Sequence, residues 1–266
     1  MKAPLAFGLC FSFALAAAVS SLPSRSQAQV SPASVDATAT LPPGPEGDLI
    51  GYGRDIINDT RKYMPANVGA RLDCAACHLG AGTVARGGSF LGIYAKFPQW
   101  NKRSGRFIAL QDRLAECFLY SMNGRPPAYS SKEMIAMTAY IAFLSKGAPV
   151  GTGFPDQDFL VVTPPHPPDV AAGGTLYAAK CATCHGADGN GSAGIPPLWG
   201  ADSFNSGAGM NTKMAGFVKA NMPLGQGNTL TDQEAADVSA FVNSHARPKF
   251  VPDRSIEFPA LPSKFF

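Results

Sequence analysis

Apolar residues recur at helical spacing in several stretches of this chain, and two of those stretches repeat one arrangement. Over 48–63, Leu49, Ile56 and Ile57 fall on one face, and over 168–180 Val170, Leu176 and Tyr177 do. Each pattern predicts an amphipathic helix. Farther along each half, a capping box announces a second helix. Ser130 with Glu133 predicts one over 134–146, and Thr231 with Glu234 predicts one over 235–245. Gly147 and Pro248 mark the two stops. In the first half, 107–123 also reads as a helix, with Leu110, Leu114 and Phe118 along an apolar stripe.

The order is helix, short Cys/His motif, Gly-rich loops and closing helix, and it occurs twice. That internal repeat argues for two domains, placed at 48–147 and 169–250. Between them, 148–168 contains Pro149, Pro155, Pro164, Pro165, Pro167 and Pro168, which disfavour helix and predict a stiff extended linker. Residues 29–47 are rich in Pro, Ala, Thr and Ser and read as a leader of little order, and 251–266 form a C-terminal tail.

The extreme N-terminus has a different character. Lys2, an apolar run over 5–19, a polar segment over 20–26 and the Ser26-Gln27-Ala28 site predict a signal peptide over 1–28, cleaved after Ala28. The run is too short to span a bilayer, and so is the apolar stretch 134–144, which Thr138 interrupts. The mature chain is expected to be periplasmic, without a membrane span. Loss of Lys2 and Arg25 lowers the net charge from +3 to +1. The remaining charge is uneven: residues 29–150 hold 13 basic and 9 acidic side chains, residues 151–266 hold 7 and 10. A cationic first half attracts anions. No stretch has the basic density or motif expected of nucleic-acid binding.

Cysteine usage narrows the chemistry. Of six cysteines, Cys10 leaves with the signal peptide, and four lie in Cys74-Ala75-Ala76-Cys77-His78 and Cys181-Ala182-Thr183-Cys184-His185. The pentapeptide resembles the attachment site of c-type haem, where two thiols bond the porphyrin and the histidine ligates iron. The competing reading, a zinc or redox Cys pair, needs further ligands from elsewhere. The expectation is two covalently bound haem c groups in a mainly α chain of two cytochrome c-like domains joined by a Pro-rich linker, by analogy with cytochromes c.

The second axial ligand differs between the halves. Met210, Met214 and Met222 are candidates in the second, and Met222 stands in Asn221-Met222-Pro223, where proline stiffens the loop, 37 residues beyond His185. Counting 39 residues beyond His78 reaches Cys117, the one cysteine left over. Arg113, Cys117 and Ser121 share a helix face. Met122 is the competing ligand there, and a buried free cysteine can also serve only as a small apolar residue. Methionine with histidine raises a haem's potential, whereas thiolate lowers it, so unlike ligands imply unlike tasks.

The stretches RLAECFLYSMNG (113–124), PLWG (197–200), FNSGAGM (204–210) and KANMPLG (219–225) resemble the dihaem thiosulfate dehydrogenases, and the likeness runs over 51–248. The resemblance implies an exported enzyme that joins two thiosulfate ions into tetrathionate and releases two electrons, with some members running the reverse. It implies His78 and Cys117 at the catalytic haem, His185 and Met222 at an electron-exit haem, and a small periplasmic acceptor such as another cytochrome c or a high-potential iron–sulfur protein. Some members use a lysine at the second haem; here Asn221 precedes Met222, with Lys213 and Lys219 nearby. Joining dianions requires charge compensation, and Arg86, Arg103, Arg106, Arg113 and Arg125 crowd this region; Arg103 and Arg113 are the favoured pair, with Ser121 beside them. Two other readings remain at this point: a dihaem electron carrier without substrate, and a sulfur-oxidation carrier-complex subunit.

Overall fold

The computed structural model describes residues 40–249 except 152, 155, 156 and 193, so the predicted signal peptide, residues 29–39 of the predicted leader and the C-terminal tail lie outside the described residues, while the leader's last residues, from Pro45, are already helical. Helices α1 (Pro45–Asn58), α2 (Thr60–Tyr63), α3 (Leu79–Gly82), α4 (Leu110–Tyr120) and α5 (Lys132–Phe143) build the first half. Helices α6 (Val170–Lys180), α7 (Ala182–His185), α8 (Met210–Asn221) and α9 (Asp232–Asn243) build the second. One hairpin, β1 (Gln99–Asn101) with β2 (Arg106–Ile108), is antiparallel and sets Trp100 opposite Phe107.

In each half the first helix packs against the last, α1 on α5 and α6 on α9. Glycine makes both crossings possible. A Cβ on Gly53 would lie 2.0 Å from the Ala136 carbonyl oxygen, and one on Gly173 would lie 2.1 Å from that of Asp237. The core follows most of the sequence pattern: Ile56, Ile57, Met134 and Met137 are fully buried, and Tyr177 and Val238 nearly so, but Val170, expected on the inner face with Tyr177, is exposed at the first turn of α6.

The helix boundaries depart from expectation where local hydrogen bonding overrides the apolar pattern. Residues 106–108 pair as β2, so the helix predicted from 107 begins at Leu110, with the Ala109 N–H donating to Asp112 Oδ2 at 2.8 Å. Ser131, not Ser130, caps α5 by accepting the Met134 N–H at 3.2 Å. At α9 the expected reciprocal box is present, with Glu234 N–H on Thr231 Oγ1 at 3.1 Å and Thr231 N–H on Glu234 Oε2 at 2.7 Å.

The last part of the predicted linker, from 163, is fastened to α9. Prolines leave only three N–H groups between 163 and 169, and all three are bonded: Thr163 to Asp232 (2.9 Å), His166 to Gln233 (3.0 Å) and Asp169 to Asp237 (2.7 Å). The halves also meet directly. Arg71 donates to the Asn190 and Ser192 carbonyls, Asn123 Nδ2 to the Ser203 carbonyl at 2.8 Å, and Asn205 Nδ2 to the Leu119 carbonyl at 3.1 Å.

Candidate active site and the two Cys-x-x-Cys-His motifs

The first motif sits between α1–α2 and α3. Thr60 Oγ1 accepts the Cys74 N–H at 3.0 Å and lies 3.2 Å from its sulfur, which fixes the first thiol. His78 Nδ1 lies 2.6 Å from the Gly88 carbonyl oxygen, and its ring stacks on Phe90 at 4.3 Å between centroids. A carbonyl only accepts, so Nδ1 carries the proton and Nε2 keeps its lone pair. Burial lowers the His78 pKa to about 4; the Gly88 carbonyl opposes the shift and nearby Arg113 adds to it. Gly88, with φ of +68°, is required there, since a Cβ would fall 2.3 Å from the Cys77 carbonyl oxygen.

Helix α4 brings Cys117 to the same place. Burial pushes both motif thiols up to about 12, and the charge of Cys117 raises each of them further. The Arg113 guanidinium has its pKa raised first by Cys117 and then by Glu116, against desolvation. His78, Cys117 and Arg113 are therefore one cluster. Ser121 caps the C-terminus of α4, half-buried, with its N–H on the Cys117 carbonyl at 3.0 Å. Arg103 lies over the Tyr120 ring at 4.1 Å and donates to the Gly207 carbonyl at 3.2 Å, which places it on the seam between the halves. Met122 is packed in the apolar core, its carbonyl accepting the N–H groups of Gly69 and Ala70.

The second motif opens on a cavity of about 330 Å³. Cys181, Cys184 and His185 form part of its wall, as do Met210, Met214 and Met222. His185 Nδ1 lies 3.2 Å from the Pro196 carbonyl oxygen, and burial lowers its pKa. Met222 is the C-cap of α8, its N–H on the Val218 carbonyl at 2.8 Å, and precedes a cis peptide to Pro223. Lys219 is engaged elsewhere, with Nζ 2.6 Å from the Leu230 carbonyl oxygen and 3.1 Å from Asp232, and Lys213 is exposed. Ala75, Ala76 and Cys77 of the first motif line this same cavity, so the two motifs adjoin.

Both halves match known families. Residues 63–150 match the SoxA/TsdA cytochrome c domain, and residues 170–246 match cytochrome c. A thiosulfate dehydrogenase of Allochromatium vinosum is 43% identical over 81% of this chain and 84% of its own length. One from Stutzerimonas stutzeri is also 43% identical, over 79% of this chain and 71% of its own. The chain belongs to the thiosulfate dehydrogenase family. The solved thiosulfate dehydrogenase (TsdBA) of Marichromatium purpuratum superposes with a TM-score of 0.74 at 35% identity, over 79% of this chain; the chain spans about half, 48%, of that one.

Two cytochrome c domains imply haem c, and in this member of the thiosulfate dehydrogenase family the donor sets fit it. The described cysteines are all free thiols, each motif pair lies beside a neutral, oriented histidine, and the second motif faces a cavity lined in part by three methionines. Among the described residues no group of three or more His, Cys, Asp or Glu is placed to hold a metal ion, so neither motif has the ligand set zinc needs. No helix among them is long and apolar enough to cross a membrane. Sequence reasoning missed Glu116, Asn101 and Asn221, whose polar side chains organise the site from buried or half-buried positions. Glu116 lies on the far side of α4 from the Leu110–Leu114–Phe118 stripe, so the apolar pattern gave no signal for its burial.

Proposed function

We propose that this chain oxidises two thiosulfate ions to tetrathionate in the periplasm and passes two electrons to a small redox protein. The observation that carries this reading is the cluster of Cys117, Arg113 and His78 in a chain of this family. His78 and Cys117 would hold the first haem iron, and His185 and Met222 the second, with Cys74, Cys77, Cys181 and Cys184 forming the thioether bonds. Haem c at both sites supplies one-electron acceptors through which the reaction's electrons leave.

The chain's own residues account for the rest. Arg113 offers a planar cation beside the thiol, which attracts a sulfur dianion. The Cys117 thiolate bonds to the outer sulfur of one thiosulfate, giving Cys–S–S–SO₃⁻ and releasing two electrons. The outer sulfur of a second thiosulfate attacks the sulfane sulfur of that adduct; tetrathionate departs and the thiolate returns. Atoms and charge balance over the two steps, and no proton is needed.

Cys117→Ala in the haem-loaded protein tests the reading. Turnover of thiosulfate falls by at least about a thousandfold, as expected for loss of a covalent nucleophile, while both haems remain attached. Near-normal turnover would leave only an electron carrier.

A further inference from the structure

Glu116 is 2% exposed, the most deeply buried charged side chain among the described residues, and it directly precedes Cys117. Both carboxylate oxygens are engaged. Oε1 accepts from Asn101 Nδ2 at 2.7 Å, and Oε2 accepts from Arg113 Nη1 at 2.9 Å. The Arg113 side chain is half exposed, so the pair joins a buried anchor to a cation that would otherwise sample solvent. Asn101 is itself oriented: its Oδ1 accepts the N–H groups of Arg103 and Ser104 at 2.8 and 3.2 Å, in the β1–β2 turn. That leaves its Nδ2 directed at Glu116.

By charge alone, a carboxylate next to the reacting thiol repels a dianion and is a liability. Burying it costs several kilocalories per mole unless it is paired and hydrogen-bonded. Its geometry supplies a compensation. We infer that Glu116 is a positioning residue, which fixes the Arg113 guanidinium beside Cys117 so that a sulfur dianion approaching the thiol meets a cation already in place. The inference rests on the reading of Cys117 as the reacting thiol.

The sign of one effect tests it. In the full-length haem-loaded protein, Cys117 is alkylated with anionic iodoacetate and, separately, with neutral iodoacetamide, and the rate ratio is read from the labelled peptide by mass spectrometry. If Glu116 were only a nearby negative charge, Glu116→Gln would raise the iodoacetate-to-iodoacetamide ratio. If it positions Arg113, the ratio falls, by roughly threefold or more, despite the loss of a negative charge. Arg113→Gln lowers the ratio likewise, and adding Glu116→Gln to that variant raises it again.

Kinetics supply a second readout, which decides the matter if Cys117 resists both reagents. Glu116→Gln raises the KM for thiosulfate about tenfold with a smaller change in kcat, as loss of a charge-assisted contact to an orienting group predicts. Glu116→Asp, which keeps the charge but shortens its reach, lies between wild type and Gln in both readouts and serves if Glu116→Gln does not assemble. A ratio that rises, or a KM unchanged in both variants, overturns the inference. The alkylation ratio reports where the guanidinium sits whether or not the thiol turns over thiosulfate, so its failure is distinct from that of Cys117→Ala.

Discussion

Asn221, the last residue of α8, donates its side-chain amide to the backbone carbonyl of Arg86 in the other half of the molecule at 3.0 Å, and to the Phe217 carbonyl at 2.9 Å. Its neighbour is Met222. The loop that presents this methionine to the second cavity is thus held in part by the first domain. Asn221→Ala removes both side-chain bonds, at a cost of about 1 kcal/mol apiece. The expected outcome is a weakened methionine-to-iron charge-transfer band at the second haem and an earlier thermal transition, with the first haem's spectrum unchanged.

The three cavity methionines separate by potential. Met222→Ala removes the proposed ligand and lowers the potential of the second haem, because methionine ligation favours the reduced iron. Met210→Ala and Met214→Ala remove packing and leave that potential close to wild type. A potentiometric titration of the three variants assigns the ligand, and a drop confined to Met210→Ala or Met214→Ala would move the assignment.

Two glycines predict where the fold is least tolerant. A methyl group at Gly53 or Gly173 collides with a helix backbone rather than with a movable side chain end. Overpacking of this kind costs about 1–3 kcal/mol or more. Gly53→Ala and Gly173→Ala each lower the melting temperature, whereas Gly209→Ala, at a position where a Cβ meets nothing within 4 Å, leaves it nearly unchanged.

Acid loosens the hold of α9 on the chain before it. Asp232 is held below its ordinary value of 3.8, chiefly by the Thr163 N–H and also by Lys219, and Glu234 below 4.5, chiefly by the Thr231 N–H. Both folded values are depressed, so the stabilisation is complete above the ordinary values and is lost as pH falls through the folded ones. Exchange of the Thr163 amide, corrected for its intrinsic rate, is steady from neutrality to about pH 5 and rises below pH 4. Asp232→Asn flattens that rise.

Much of the architecture was legible because one periodic pattern occurs twice, and because Cys-x-x-Cys-His is a local signature. Ile56, Ile57 and Tyr177 are buried as their spacing predicts, and the Thr231–Glu234 box forms as read. Helix α8 was not picked out, although Met210, Met214, Phe217 and Val218 stand at i, i+4, i+7 and i+8 and all four line the second cavity. Nor was the hairpin, whose three-residue strands carry too little pattern to distinguish from a helix start. The contacts of Asn221 with Arg86 and of Asn101 with Glu116 join residues 135 and 15 positions apart, and only the folded chain brings them together.

The claim on which the account turns is that the sulfur of Cys117 completes the first haem's iron coordination, and the electron paramagnetic resonance spectrum of the oxidised protein tests it most directly. The account predicts a low-spin signal of histidine–thiolate type that disappears in Cys117→Ala, beside a second low-spin signal that persists. A spectrum unaltered by that substitution would contradict it.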